Sequence, residues 1–221
     1  MLLVAFLIAS IFASGQVNDF SPQSPAFAPV VDRAGLPRVL LIGDSISIGY
    51  TVTVQKALAG KANVHRIPEN GADTANGLKK IDSWLGDSHW DVIHFNWGLH
   101  DLKVTRAGER QVPVESYEKN LASLVERLRK TGAQLIWATT TPVPEGKQNP
   151  PRESADVPRY NAAARRVMES HGILTDDLYA AALPRLAEIQ IPLNVHFNSA
   201  GWDVLGSSAA AAIRTALDSK R

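Results

Sequence analysis

The chain has 221 residues, enough for one α/β domain with a substantial core. Hydrophobic residues make up 45% and charged residues 20%, an ordinary balance for a globular protein, and a formal net charge of +1 leaves no strong field to recruit nucleic acid or an anionic membrane. With no cysteine, disulfides, thiolate metal sites and cysteine nucleophiles are all excluded.

From the amino end, residues 2–12 are almost wholly apolar and give way to Ala13-Ser14-Gly15. That run is shorter than the roughly 20 apolar residues that cross a bilayer, and its small residues suit a signal peptidase. Residues 1–15 are therefore expected to be a cleaved signal peptide of a secreted or periplasmic protein, although the first cationic side chain is Arg33. Residues 16–37 carry Pro22, Pro25, Pro29 and Pro37 and read as a linker. The folded domain is expected over 38–221.

Val39-Leu40-Leu41-Ile42 is a continuous apolar run, as for a strand buried on both faces. Asn63 to Ile67, Asp91 to Asn96, Gln134 to Thr139 and Gly172 to Thr175 are further strand candidates. Between them, Tyr117, Leu121, Leu124, Val125 and Leu128 repeat at helical spacing, with Arg127, Arg129 and Lys130 at the C-terminal turn and Gly132 as the stop. Tyr160, Ala164, Val167 and Met168 form a second stripe, with Asp156 as its expected N-cap. Trp202, Leu205, Ala209, Ile213 and Leu217 form a third, opened by Asn198 or Ser199. This alternation predicts a parallel sheet covered on both faces, with active groups on loops beyond the carboxyl ends of the strands.

Four short motifs stand at those places. Gly43-Asp44-Ser45-Ile46-Ser47 follows the strongest strand, where a serine can project from a strand-to-helix turn beside free backbone N–H groups. Glu69-Asn70-Gly71-Ala72-Asp73-Thr74 follows the second strand, and Asn96-Trp97-Gly98-Leu99-His100-Asp101 the third. Val195-His196-Phe197-Asn198 precedes the last helix and offers an imidazole base. In this order the set resembles the GDSL/SGNH hydrolase family, over roughly Arg38 to the last helix.

The resemblance implies a flavodoxin-like three-layer α/β/α sandwich with a five-stranded parallel sheet and an esterase, lipase or thioesterase activity. It implies Ser45 as nucleophile, His196 as base, and an oxyanion hole from the N–H of Ser45, the backbone of Gly71 or Ala72, and the block-three side chain. Asp44, Gly98 and Asp101 fall at positions that are structural in the family. Three departures stand out. His100 replaces the usual asparagine, Ala72 the usual glycine, and Leu193 the aspartate three residues before the histidine. An imidazole N–H can still donate to an oxyanion if its tautomer is held, and Ala72 is tolerable if its φ is negative. With no aspartate, the Leu193 carbonyl is the first candidate to orient His196, Asn194 the second; Asp203, Asp176 and Glu188 are sequence neighbours of unknown reach.

The expected chemistry is hydrolysis of carboxylic esters, small-molecule or polysaccharide, through an acyl-enzyme. Short acyl groups such as acetyl esters of carbohydrates are the first expectation by family analogy. A thioesterase or lysophospholipase on the same site, and a non-catalytic carbohydrate-binding or adhesion protein on this fold, are the alternatives. Trp97 is expected either to pack on an acyl or sugar group of the substrate or to fill space under a loop, and the stretches Lys103 to Val112 and Pro142 to Asp156 are expected to shape the pocket. No cofactor is expected. His94, His100, Asp101 and His196 lack metal-ligand spacing, and the first turn lacks a dinucleotide or nucleotide-loop pattern. Nor is stable membrane insertion expected once the leader is removed; oligomeric state is not legible.

Overall fold

The structure, a computed structural model, describes residues 18–219; the expected leader at 1–15 lies outside them. Five parallel strands, β1 (Arg38–Ile42), β2 (Asn63–Arg66), β3 (Val92–Phe95), β4 (Gln134–Ala138) and β5 (Leu174–Asp176), form one sheet in the order β2-β1-β3-β4-β5. This is the flavodoxin-like order, in which the chain reverses direction between β1 and β3 and leaves a crevice at their carboxyl ends. Leu40 of β1 pairs in register with His65 of β2 and Ile93 of β3. The apolar runs of β1, β3 and β4 are buried almost throughout, because helices cover both faces.

One face carries α1 (Ser45–Ala57) against α7 (Ser199–Asp218), with α5 (Leu178–Ala182) beside α7. The other carries α2 (Thr74–Leu85), α3 (Val114–Arg129) and α4 (Asp156–Ser170), packed in that sequence. A short α6 (Leu186–Ile189) precedes the loop to α7. The α3 stripe of Tyr117, Leu121, Leu124, Val125 and Leu128 is fully buried, each side chain gaining about 1.5–3 kcal/mol from leaving water. Asn198 caps α7 by accepting from the Gly201 N–H at 3.0 Å. Asp156 does not cap α4; it is the first helical residue, and its buried carboxylate pairs with Arg110 and Arg159.

The described part of the expected linker, from residue 18, lies packed on the domain. Pro25–Phe27 form a 3₁₀ turn with Ala26 buried, and the Arg66 guanidinium stacks over Phe27 at 4.7 Å. Asp32 bonds Arg38 and His65, and Asn63 holds the backbone of Arg33 and Leu36. Beyond that short turn the segment has no regular helix or strand, yet it docks on the domain. No helix among the described residues is long and apolar enough to cross a membrane.

Candidate active site

At the end of β1 the chain must turn sharply into α1. Asp44 makes that turn: its buried carboxylate accepts from the Ile46 N–H at 2.9 Å and caps the helix. Ser45 is thereby the first helical residue, and its own N–H has no intrahelical acceptor. The Ser45 Oγ lies 2.8 Å from Nε2 of His196, which sits 151 positions further along the chain. His196 is held by its loop. Its N–H donates to the Asn194 side chain and its carbonyl accepts from Ile191, both at 3.0 Å. The ring packs against Phe20 at 4.5 Å between centroids.

Nothing among the described residues hydrogen-bonds the other nitrogen of that ring. The Leu193 carbonyl and the Asn194 side chain make no bond to it, and Leu193 itself is exposed with φ +54°. Asp203 is taken by Thr53 at 3.1 Å, Asp176 by His94 and Ser208, and Glu188 by Arg185. Burial holds His196 below the usual histidine range, Arg152 and His100 push it the same way, and Asp44 opposes them. The ring is therefore neutral at pH 7, with Nε2 free to accept the serine proton.

After β3, Gly98 (φ +154°) brings the backbone so close to Thr140 that a Cβ would sit 2.0 Å from its Oγ1, so only glycine fits. This places His100, half-buried, at the crevice. Its Nδ1 lies 2.8 Å from the Lys103 ammonium. An ammonium can only donate, so Nδ1 accepts and the proton of the neutral ring resides on Nε2. Burial holds His100 below the usual histidine range, with Lys103 and Arg152 adding to the effect against Asp44. Asp101 points inward: its Oδ1 accepts from the Thr74 N–H (2.9 Å) and hydroxyl (2.5 Å), pinning the start of α2. Burial pushes its carboxyl up to about 7, against those Thr74 bonds.

The block-two backbone departs from expectation. The Gly71 N–H donates to the Gly43 carbonyl at 3.0 Å, and a Cβ on Gly71 would lie 2.9 Å from that same oxygen. Ala72 has φ +52°, not a negative value, and its N–H donates to Asn70 Oδ1 at 2.9 Å. Both expected oxyanion donors, Gly71 and Ala72, are thus engaged within the loop, and neither lines the crevice. Asn70 does. With its Oδ1 held by Ala72, its Nδ2–H₂ is left as a free donor among the described residues. Sequence reading missed Asn70; its one signal was a side-chain amide beside Gly71 in the second motif.

The crevice encloses about 540 Å³ and joins Ser45, His196, His100, Asn70 and Asp44 to Lys103, Lys147 and Arg152 from the two long loops. Those loops were expected to shape the pocket; Lys103 and Arg152 were not singled out. Trp97 does not reach the crevice. It is fully buried, packs on Gly77, and donates to the Gly71 carbonyl at 3.3 Å, so it supports the block-two loop from beneath rather than touching substrate. His94 is likewise in the core, 2.9 Å from Asp176. A larger hollow of about 760 Å³, lined by Pro37, Lys61 and Arg214, lies at the amino ends of the strands, away from Ser45 and His196.

Solved structures share this architecture. A lipase/acylhydrolase from Enterococcus faecalis superposes with TM-score 0.71 at 22% identity, covering 81% of this chain and 96% of that one. The acetyl xylan esterase AlAXEase gives 0.69 at 17% identity, with 80% and 99% covered. Axe2, an acetylxylan esterase from Geobacillus stearothermophilus, gives 0.66 at 20% identity, with 80% and 94% covered. A sequence search of curated proteins finds no match. The family model described as "GDSL-like Lipase/Acylhydrolase family" spans residues 41–204, from within β1 to within α7, and takes in Ser45, His100 and His196, and the chain belongs to that family.

Proposed function

We propose that this protein is a serine esterase that hydrolyses carboxylic esters through an acyl-enzyme, with Ser45 as nucleophile and His196 as general base. The observation that carries the proposal is the 2.8 Å approach of the Ser45 hydroxyl to the imidazole, within the range that proton abstraction needs. Ser45 attacks the ester carbonyl as His196 takes its proton. The imidazolium then protonates the departing alcohol, and water resolves the acyl-enzyme by the same base. The oxyanion is held by the Ser45 N–H at the start of α1, by Asn70 Nδ2 and by His100 Nε2. With no acid paired to His196, the catalytic unit is a dyad, so the imidazolium relies on the Asp44 charge for compensation.

Short acyl groups are the proposed substrates. Two structural relatives named as acetylxylan esterases support this, as does a crevice of modest volume rich in polar side chains. The apolar leader in residues 2–12 supports export. A fluorophosphonate probe tests the reading. Wild type labels, and Ser45→Ala and His196→Ala do not. A chain that never labels, beside a control esterase that does, favours a binding protein on this fold. Activity that climbs with acyl length from acetate to octanoate favours a lysophospholipase or long-chain thioesterase.

A further inference from the structure

The crevice gathers cations that have no carboxylate partner. Many arginines elsewhere find one: Arg127 pairs with Asp82, Arg159 with Asp156, and Arg166 with Glu118, whereas Arg66, like Arg152, is held by backbone carbonyls. Arg152 is buried, at 8% exposure, yet no carboxylate lies within 4.0 Å of it among the described residues. Its Nε donates to the Leu99 carbonyl at 2.8 Å and its Nη1 to the Pro150 carbonyl at 3.2 Å; among the described residues Nη2 has no hydrogen-bond partner. The ammonium of half-buried Lys103 has, among the described residues, one hydrogen-bond partner, the His100 ring. Lys147 stands exposed at the rim.

Asp44, the one carboxylate lining the crevice among the described residues, spends Oδ1 on the α1 cap; its buried Oδ2 has no hydrogen-bond partner, and its charge favours the charged forms of Arg152 and Lys103. Asp73 caps α2 and receives Gln111, and Asp101 holds Thr74. Against the single charge of Asp44 the crevice thus presents Lys103, Lys147 and Arg152. A guanidinium taken out of water without an ion-pair partner is costly, and its planar fork is shaped for an oxygen anion.

We propose that this site takes esters bearing a carboxylate or phosphate near the scissile bond, with Arg152 clamping the anion and Lys103 and Lys147 assisting. The inference rests on the esterase reading and adds the substrate's charge to it. Arg152, anchored at two carbonyls, offers Nη2 and the remaining Nη1 hydrogen to one anionic group. Lys103 adds a second donor without leaving His100, because an ammonium carries three protons.

The test compares 4-acetoxybenzoate and 4-acetoxyphenyl phosphate with the neutral methyl 4-acetoxybenzoate. Rates of acetate release are each normalised to hydrolysis by hydroxide. Wild type is expected to favour at least one anionic ester in kcat/KM by roughly 10- to 100-fold, the worth of a charge-assisted hydrogen bond. Which anion leads separates carboxylate from phosphate substrates. In Arg152→Gln the preference collapses toward unity, and Arg152→Lys retains part of it. Arg166→Gln, the same charge change on the far surface, leaves the preference intact. Should Arg152→Gln fail to fold, Lys147→Gln on its exposed loop still lowers the preference several-fold. A wild type that labels with fluorophosphonate yet cleaves the neutral ester at least as well as both anionic ones overturns the anion site and spares the esterase. A chain that neither labels nor cleaves any of the three overturns both.

Discussion

If His100 supplies an oxyanion donor and Lys103 fixes its tautomer, the two residues must behave as one unit. His100→Ala deletes the Nε2–H outright. Removing one such donor costs about 100- to 1000-fold in kcat, and KM for a neutral acetate ester should barely move, because the bond matures only in the transition state. Lys103→Met leaves the imidazole but frees Nδ1, now 2.8 Å from an ammonium. The proton is then shared between the two nitrogens, and the ring loses one charge-assisted anchor. Halving the correct tautomer and loosening the ring together cost about 2- to 10-fold in kcat. Combining the substitutions should be no worse than His100→Ala alone. Kinetics on a neutral ester for the four proteins give the coupling directly. A His100→Ala enzyme within threefold of wild type removes the imidazole from the oxyanion hole. A double variant whose losses multiply shows Lys103 acting on its own, and the tautomer lock is then wrong.

The other predictions follow from single observations. Asn70→Ala should lower kcat by about 10- to 100-fold through loss of the Nδ2 donor, with folding checked by urea melts. Ala72→Gly should stabilise the protein by about 0.5–1 kcal/mol, because relief of a left-handed alanine exceeds the added entropy of glycine; a destabilised variant in denaturant titration refutes the strain. Activity requires neutral His196, and burial holds that ring below the usual histidine range. The acid limb of kcat/KM on a neutral ester should therefore lie below pH 6.5, the ordinary histidine value. Arg152→Gln, which removes a like charge, should move that limb upward. Finally, Asp101 retains its proton to about 7 when folded and loses it near 3.8 when unfolded. Between those values the native state binds the extra proton, so this group makes stability fall as pH rises, by up to about 4 kcal/mol. Asp101→Asn should flatten that slope.

Much of this molecule was legible from its sequence because backbone chemistry is local. The apolar run Val39 to Ile42, the α3 stripe and the Asn198 cap each declare an element within a few residues, and alternation then leaves few topologies. Ser45 and His196 could be singled out because each motif abuts a strand end or a helix start. What could not be read is what depends on a neighbour far along the chain or on a backbone angle. Trp97, in a motif beside the site, read equally as a substrate contact or as packing under a loop, and its ring takes the second course, turning beneath the site onto Gly77, which has no Cβ to keep it out. The sign of φ at Ala72 decided where its N–H points, and no composition rule reveals that sign.

The departures from the family pattern also compensate one another, which is the deeper reason that reading them singly falls short. Ala72, in the left-handed region, turns its N–H onto Asn70, a crevice residue whose amide nitrogen is the proposed substitute for the expected backbone donor. His100 could titrate or adopt the wrong tautomer, and Lys103, one turn further along, prevents both by donating to Nδ1. His196 lacks a carboxylate on Nδ1, but Phe20 packs on the ring and Asp44, buried at the head of α1, supplies the nearest negative charge. An acid on Nδ1 would raise the pKa of the base. Without one, burial and Arg152 keep it low, which preserves a neutral acceptor into mildly acid solution at the expense of basicity. On the proposed reading Arg152 also holds the anionic ester, so one guanidinium would exchange strength in proton abstraction for affinity in the ground state.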